Sequence, residues 1–143
     1  MACLDMSGDY CAAATLLNFL TGLDDLVQVH QGSALDLPFA DAHFHVVWMQ
    51  NVGMSVADKR RLYQEIRRVL KPGGRFIFQE GAAGRAGPPH FPVPWATQPA
   101  DSHLVSAAGY CSELEAGGFT VEAFEDFSEA ELSRPQLEQR QAL

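Results

Sequence analysis

The chain has 143 residues, 47% of them hydrophobic, and carries 18 acidic against 10 basic side chains for a formal net charge of −8. That length fits one domain, the apolar fraction excludes a disordered chain, and no stretch approaches the roughly 18 uninterrupted apolar residues of a membrane span. The acidity disfavours nucleic acid and anionic membranes as partners. Cys3, Cys11 and Cys111 are odd in number and lack paired spacing, which argues against a disulfide scaffold and fits a reducing cytoplasm. The first basic residue is Lys59, so the apolar stretch from Cys11 to Leu20 has no basic flank and does not read as a secretion signal. Charge is segmented: residues 1–58 carry seven acids and no base, and residues 59–85 carry eight bases and two acids.

Ala2–Met6 reads as the end of a strand. Ser7 offers an N-cap, and Tyr10–Leu20 is a helix closed by Gly22. Leu26–Gln31 alternates apolar and polar residues, as a strand with one wetter face does. Gly32–Ala42 is a connection, and Phe44–Met49 is a strand with a nearly continuous apolar run. Ser55-x-x-Asp58 has the spacing of a capping box for a helix whose buried face carries Leu62, Ile66 and Val69 or Leu70. Pro72-Gly73-Gly74 ends that helix, and Arg75–Gln79 is a strand. Residues 81–101 form a long loop rich in glycine and proline, Ser106–Ala116 is a helix, and Phe119–Phe127 is a final strand. The boundaries are a domain over residues 1–127 and a polar tail over 128–143. Helices alternate with apolar strands, the pattern of an α/β fold with a mostly parallel sheet and flanking helices.

Several motifs have an unremarkable reading. The basic run Lys59-Arg60-Arg61 with Arg67, Arg68 and Lys71 reads as a solvated helix face with cations at the favourable end of the helix dipole. Gly81-x-x-Gly84-x-x-Gly87 lacks the phosphate-loop spacing and runs into Pro88-Pro89 rather than a helix. His43 and His45 lack further ligands nearby, so no metal is expected.

One ordered set of phrases carries more. Leu4-Asp5-Met6-Ser7 is followed by Gly32-Ser33-Ala34 with Leu37-Pro38-Phe39, then by Phe44-His45-Val46-Val47-Trp48-Met49-Gln50. Glu65-x-x-Arg68-Val69-Leu70-Lys71-Pro72-Gly73-Gly74-Arg75-Phe76 comes next, and Gly117-Gly118-Phe119-x-Val121 comes last. Over about residues 3–127 this resembles the class I S-adenosylmethionine-dependent methyltransferases, in particular their type 11 small-molecule group. The resemblance implies a Rossmann-like fold and methyl transfer from S-adenosylmethionine to a small-molecule acceptor. By that resemblance Asp5 accepts the ribose hydroxyls and Met6 covers the adenine. Ser33 and Ala34 meet the adenine edge, with a hydroxyl where the family usually has an acid. Met49 and Gln50 face the methionine portion, Phe91 and Trp95 line the acceptor pocket, and His90 is the candidate base. His45 departs from the family's usual aspartate.

The family's glycine-rich first strand precedes the acid-bearing strand and lies mid-sheet. Here only four residues precede Asp5, so the expectation is an incomplete class I fold, truncated in front and lacking the family's last strand behind. Unpaired inner edges then favour a homodimer. The alternative to an enzyme is a non-catalytic remnant acting as a self-associating interaction module.

Overall fold

The computed structural model describes residues 1–85 and 87–128. In chain order it contains β1 (Ala2–Asp5), α1 (Gly8–Thr21), β2 (Gln28–Gln31), β3 (Phe44–Gln50), α2 (Lys59–Val69), β4 (Leu70–Gln79) and α3 (Ala107–Ala116). Single 3-10 turns occur at Gly53–Ser55 and Pro99–Asp101.

The strands form two parallel pairs, not one continuous sheet. β1 pairs with β2, placing Ala2 opposite Gln28 and Asp5 opposite Gln31. β3 pairs with β4, placing Val46 opposite Arg75 and Gln50 opposite Gln79. Among the described residues, β1 and β3 each have one neighbour, so each keeps one unpaired edge.

α1 starts where the sequence indicates. The Ser7 hydroxyl accepts from the Tyr10 N–H, and Gly22 closes the helix at φ 68°, a left-handed conformation that glycine adopts without a Cβ penalty. The capping box does not form. Ser55 closes the 3-10 turn, and Asp58 is the N-cap of α2, accepting from the Arg61 N–H. α2 then buries Leu62, Tyr63, Ile66 and Val69 along one stripe. Each such side chain contributes roughly 1.5–3 kcal/mol on leaving water. With Met49, Leu70 and Leu114 they form the core, against which Val47, Phe76 and Phe78 pack from one face of the β3–β4 pair.

The opposite face of that pair is bare. Val46, Trp48 and Ile77 are 51%, 71% and 54% exposed. Leu16, Leu17, Phe19 and Leu20 of α1 are exposed as well. Those areas are large for apolar side chains.

Two further expectations are corrected. β4 begins at Leu70, directly after α2, and Lys71–Gly74 bulge out between the pairs Phe44–Leu70 and Val46–Arg75. Phe119–Phe127 forms no strand. Phe119 and Val121 pack on the core, but Phe124 and Phe127 are exposed, and the segment pairs with no strand among the described residues. Of the expected tail 128–143, residues 129–143 lie outside the described residues.

Candidate functional site

In open parallel sheets, ligands collect beyond the carboxyl ends of the strands. Most of the residues marked in the sequence stand there. Asp5 ends β1, where its Oδ1 accepts from the Ser7 N–H at 2.7 Å. That bond fixes the carboxylate and leaves Oδ2 without a hydrogen-bond partner among the described residues. Met6, next in the chain, is 77% exposed, so it is a surface side chain and not part of the core.

The end of β2 comes to the same place. The Gly32 N–H donates to the Asp5 carbonyl at 2.9 Å. A Cβ at Gly32 would stand 3.3 Å from Leu4 Cδ1, a tight contact with a side-chain end on the neighbouring strand. Ser33 Oγ accepts from the Leu35 N–H at 3.1 Å, which leaves its hydroxyl proton free to donate. Ala34 packs against the core. Gln31 was not marked by its sequence context, yet its Nε2 donates to the Met6 carbonyl at 3.3 Å and ties the two strand ends together.

β3 brings Met49 and Gln50 to the second pair's end, but they point opposite ways. Met49 is buried in the core and Gln50 is exposed. Only Gln50 can meet a ligand directly; the Met49 methyl supports Gly53 from below, 3.3 Å from where a Cβ would stand.

The segment after β4 folds back over this end. The Ala83 N–H donates to the Val105 carbonyl at 2.8 Å, and the His103 N–H to the Met54 carbonyl at 2.8 Å. Tyr110 Oη donates to the Gly81 carbonyl at 3.2 Å. Trp95 is half-buried and donates its indole N–H to Ser102 Oγ at 3.0 Å. A shallow cavity of about 310 Å³ opens beside it, lined by Val93–Thr97 and Asp101. Phe91 is half-buried, and His90 is exposed on the same loop.

Two charged groups are not on a solvated face. Lys59 is 6% exposed, and its ammonium donates to the carbonyls of Gly53 and Val56 at 2.8 and 2.9 Å. Burial lowers its pKa, partly opposed by Glu80 and Glu113. Arg68 bonds Glu65, Asp41 and the Leu37 and Phe39 carbonyls, which holds the Glu65 carboxyl below the usual carboxylate range. Periodicity alone does not reveal either partnership: Lys59 reaches carbonyls of the turn before α2, and Arg68 reaches the Leu37 and Phe39 carbonyls 31 and 29 residues away. Of the histidine pair, the His43 ring stands edge-on to Phe44, while His45 Nε2 lies 3.3 Å from the Lys71 ammonium.

Comparison with known proteins identifies the family. The family model described as a methyltransferase domain matches residues 1–78. The chain is 35% identical over 108 residues to a glycine/sarcosine/dimethylglycine N-methyltransferase of Actinopolyspora halophila, covering 76% of this chain and 19% of that protein. It is 31% identical over 113 residues to a dimethylglycine N-methyltransferase of Parasynechococcus marenigrum, covering 79% of this chain and 40% of that protein. The chain thus spans less than half the length of these relatives. Among solved structures, the cyclase SpnF superposes with a TM-score of 0.78 at 27% identity, over 90% of this chain and 45% of SpnF.

Proposed function

The chain belongs to the class I S-adenosylmethionine-dependent methyltransferases, and on that premise we propose that it binds the cofactor across the carboxyl ends of β1, β2 and β3 and methylates a small amine. One observation carries the reading. The family match over residues 1–78 ends within β4, and the marked residues Asp5, Ser33 and Gln50 stand at or just past strand ends within it.

The roles follow from what each side chain has left to offer. Asp5 Oδ2 accepts from the ribose hydroxyls while Oδ1 stays on Ser7. Exposed Met6 covers one adenine face, and Ala34 borders the adenine edge. The Ser33 hydroxyl donates to an adenine ring nitrogen, which a carboxylate at that position would not do. Gln50 meets the methionine portion, with Met49 supporting the neighbouring turn. Bound S-adenosylmethionine supplies an electrophilic methyl group on a sulfonium.

The protein's own part is to orient the acceptor, since in-line displacement depends chiefly on positioning. Trp95 and Asp101 line one cavity, and an aromatic face beside a carboxylate suits an ammonium-forming acceptor. Phe91 extends the apolar side of that loop. His90 is the candidate group to take the proton that the amine gives up. The two N-methyltransferases of glycine derivatives support an amine over an oxygen acceptor. All three cysteines are free thiols, consistent with a reducing cytoplasm.

Calorimetry with S-adenosylhomocysteine tests the reading. Saturable binding that Asp5→Ala weakens by about tenfold supports it, the loss expected for a charged hydrogen-bond acceptor. No binding at millimolar ligand removes it.

A second reading rests on a different observation. The unpaired edges of β1 and β3, beside exposed Val46, Trp48 and Ile77, favour a homodimer and a self-associating role. A stable monomer by sedimentation at tens of micromolar chain would overturn that reading.

A further inference from the structure

Where β3 ends, three successive backbone N–H groups converge on one side chain. Val52 and Gly53 donate to Glu80 Oε1 at 3.0 and 2.8 Å, and Met54 donates to Oε2 at 3.2 Å. The backbone dictates this convergence. Asn51 has φ 54°, and Val52 follows at φ −113°, ψ −46°. A left-handed residue followed by a right-handed one turns consecutive N–H groups to the same side, making a concave donor set that suits an anion.

The strand register supplies that anion from within the chain. Gln50 pairs with Gln79, and the Asn51 N–H donates to the Gln79 carbonyl at 2.9 Å. Glu80, the next residue, therefore arrives beside the turn. Gly53 and Met54 are buried, so without this carboxylate their donors would be cut off from water and unpaired. The approach is close: a Cβ at Gly53 would stand 3.3 Å from Glu80 Oε1. From the other side, the Lys59 ammonium holds the carbonyls of Gly53 and Val56. The turn is gripped by a carboxylate on its donors and an ammonium on its acceptors.

We propose that Glu80 is a positioning residue, whose carboxylate fixes the Asn51–Met54 turn and so holds Gln50 at the rim of the cofactor site. The functional consequence rests on the cofactor reading above; the grip itself does not. His90 and Trp95 lie further along the loop that Glu80 begins, so the same carboxylate joins the β3 rim to the acceptor-side segment.

The test is amide NMR with hydrogen exchange on the wild-type chain, Glu80→Ala and Glu80→Gln, together with calorimetry using S-adenosylhomocysteine. In Glu80→Ala the amides of Val52, Gly53 and Met54 lose their downfield shifts and exchange about tenfold faster or more. Amides of α2 and β4 stay unchanged, the Gln50 side-chain signals move, and ligand affinity falls about tenfold. If Glu80→Ala does not fold, Glu80→Gln decides. Its single carbonyl oxygen serves at most two of the three donors, so at least one amide loses its shift. Three unaltered amides in the folded variant overturn the proposal, as does a loosened turn with Gln50 signals and affinity both unchanged. A wild-type chain that binds no ligand removes the cofactor reading instead, and the Gln50 signals alone then decide whether Glu80 positions this rim.

Discussion

Replacing Arg68 with methionine is the most informative single change, because its cost can be worked from the contacts. The guanidinium spends five N–H donors on five acceptors. Nε and Nη2 bond Glu65 at 3.1 and 2.7 Å, Nη1 bonds the Phe39 carbonyl and Asp41 at 2.7 and 2.8 Å, and Nη2 also bonds the Leu37 carbonyl at 2.9 Å. The Glu65 side chain is only 4% exposed, so its carboxylate depends on these bonds, on the Leu37 N–H, and on Arg61 at 3.2 Å. Removing one partner of a buried pair costs about 3–5 kcal/mol. Here Arg68 is 30% exposed and Arg61 remains, so the expected loss is about 2–3 kcal/mol. Asp41, at 78% exposure, contributes little of it. Urea unfolding near neutral pH measures the loss directly, and at roughly 4 °C per kcal/mol the melting temperature falls by about 8–12 °C. The pH dependence has a definite sign. Arg68 lowers the Glu65 pKa, so the stabilisation is present above the ordinary carboxylate range and is lost as pH falls through the folded-state value. The gap between wild type and Arg68→Met therefore narrows in acid. A loss under about 0.5 kcal/mol, or a gap that stays constant down to pH 3, refutes the reasoning.

Other substitutions test the packing. Tyr63→Phe is neutral or stabilising by up to about 1 kcal/mol in urea unfolding, because the Tyr63 hydroxyl is buried with no hydrogen-bond partner. Gly74→Ala costs about 1–3 kcal/mol in the same assay, because its Cβ would stand 2.9 Å from the Lys71 carbonyl and 3.1 Å from that of His45, both backbone atoms. Burial pushes the Tyr110 phenol up to about 12, so its contribution to stability is present below pH 10 and is lost as pH rises toward 12. Spectrophotometric titration of wild type against Tyr110→Phe checks it. Trp48→Thr with Ile77→Thr leaves the urea midpoint nearly unchanged while reducing self-association in sedimentation, since both side chains lie on the bare face.

Local signals in the sequence translated well. Ser7 and Gly22 bound α1 as expected, and the Leu62, Ile66, Val69 spacing located the buried stripe of α2. The strand ends carrying Asp5, Ser33 and Gln50 were also legible, because apolar runs ending in polar residues mark them. Three features were not. Ser55 has the right spacing for an N-cap, but Glu80 and Lys59 hold its segment as a separate turn, which only the register of β3 and β4 creates. Phe119–Phe127 has strand composition, yet it pairs with no strand among the described residues, and composition alone does not decide pairing. The opposite roles of Met49 and Gln50 follow from strand alternation, which a continuous apolar run conceals.

Two of the phrases that carried the family resemblance prove to be parts of one physical device. Leu37-Pro38-Phe39 lies in the connection between the two strand pairs, and Glu65-x-x-Arg68 lies on α2. Arg68 bonds the carbonyls of Leu37 and Phe39, Glu65 accepts from the Leu37 N–H, and Arg61 bonds the Leu35 carbonyl at 2.9 Å. The Phe39 ring stands edge-on to both His30 of β2 and Phe44 of β3, at 5.1 and 5.0 Å. No ladder joins β1–β2 to β3–β4 among the described residues, so this clamp ties the connection that follows β2, and through Phe39 the His30 ring of β2, to α2 and β3. It follows that Arg68→Met, although remote from every proposed ligand contact, lowers S-adenosylhomocysteine affinity as well as stability. Calorimetry at a temperature where the variant remains folded separates the two effects. Affinity equal to wild type there would mean that the two strand pairs keep their alignment without the clamp.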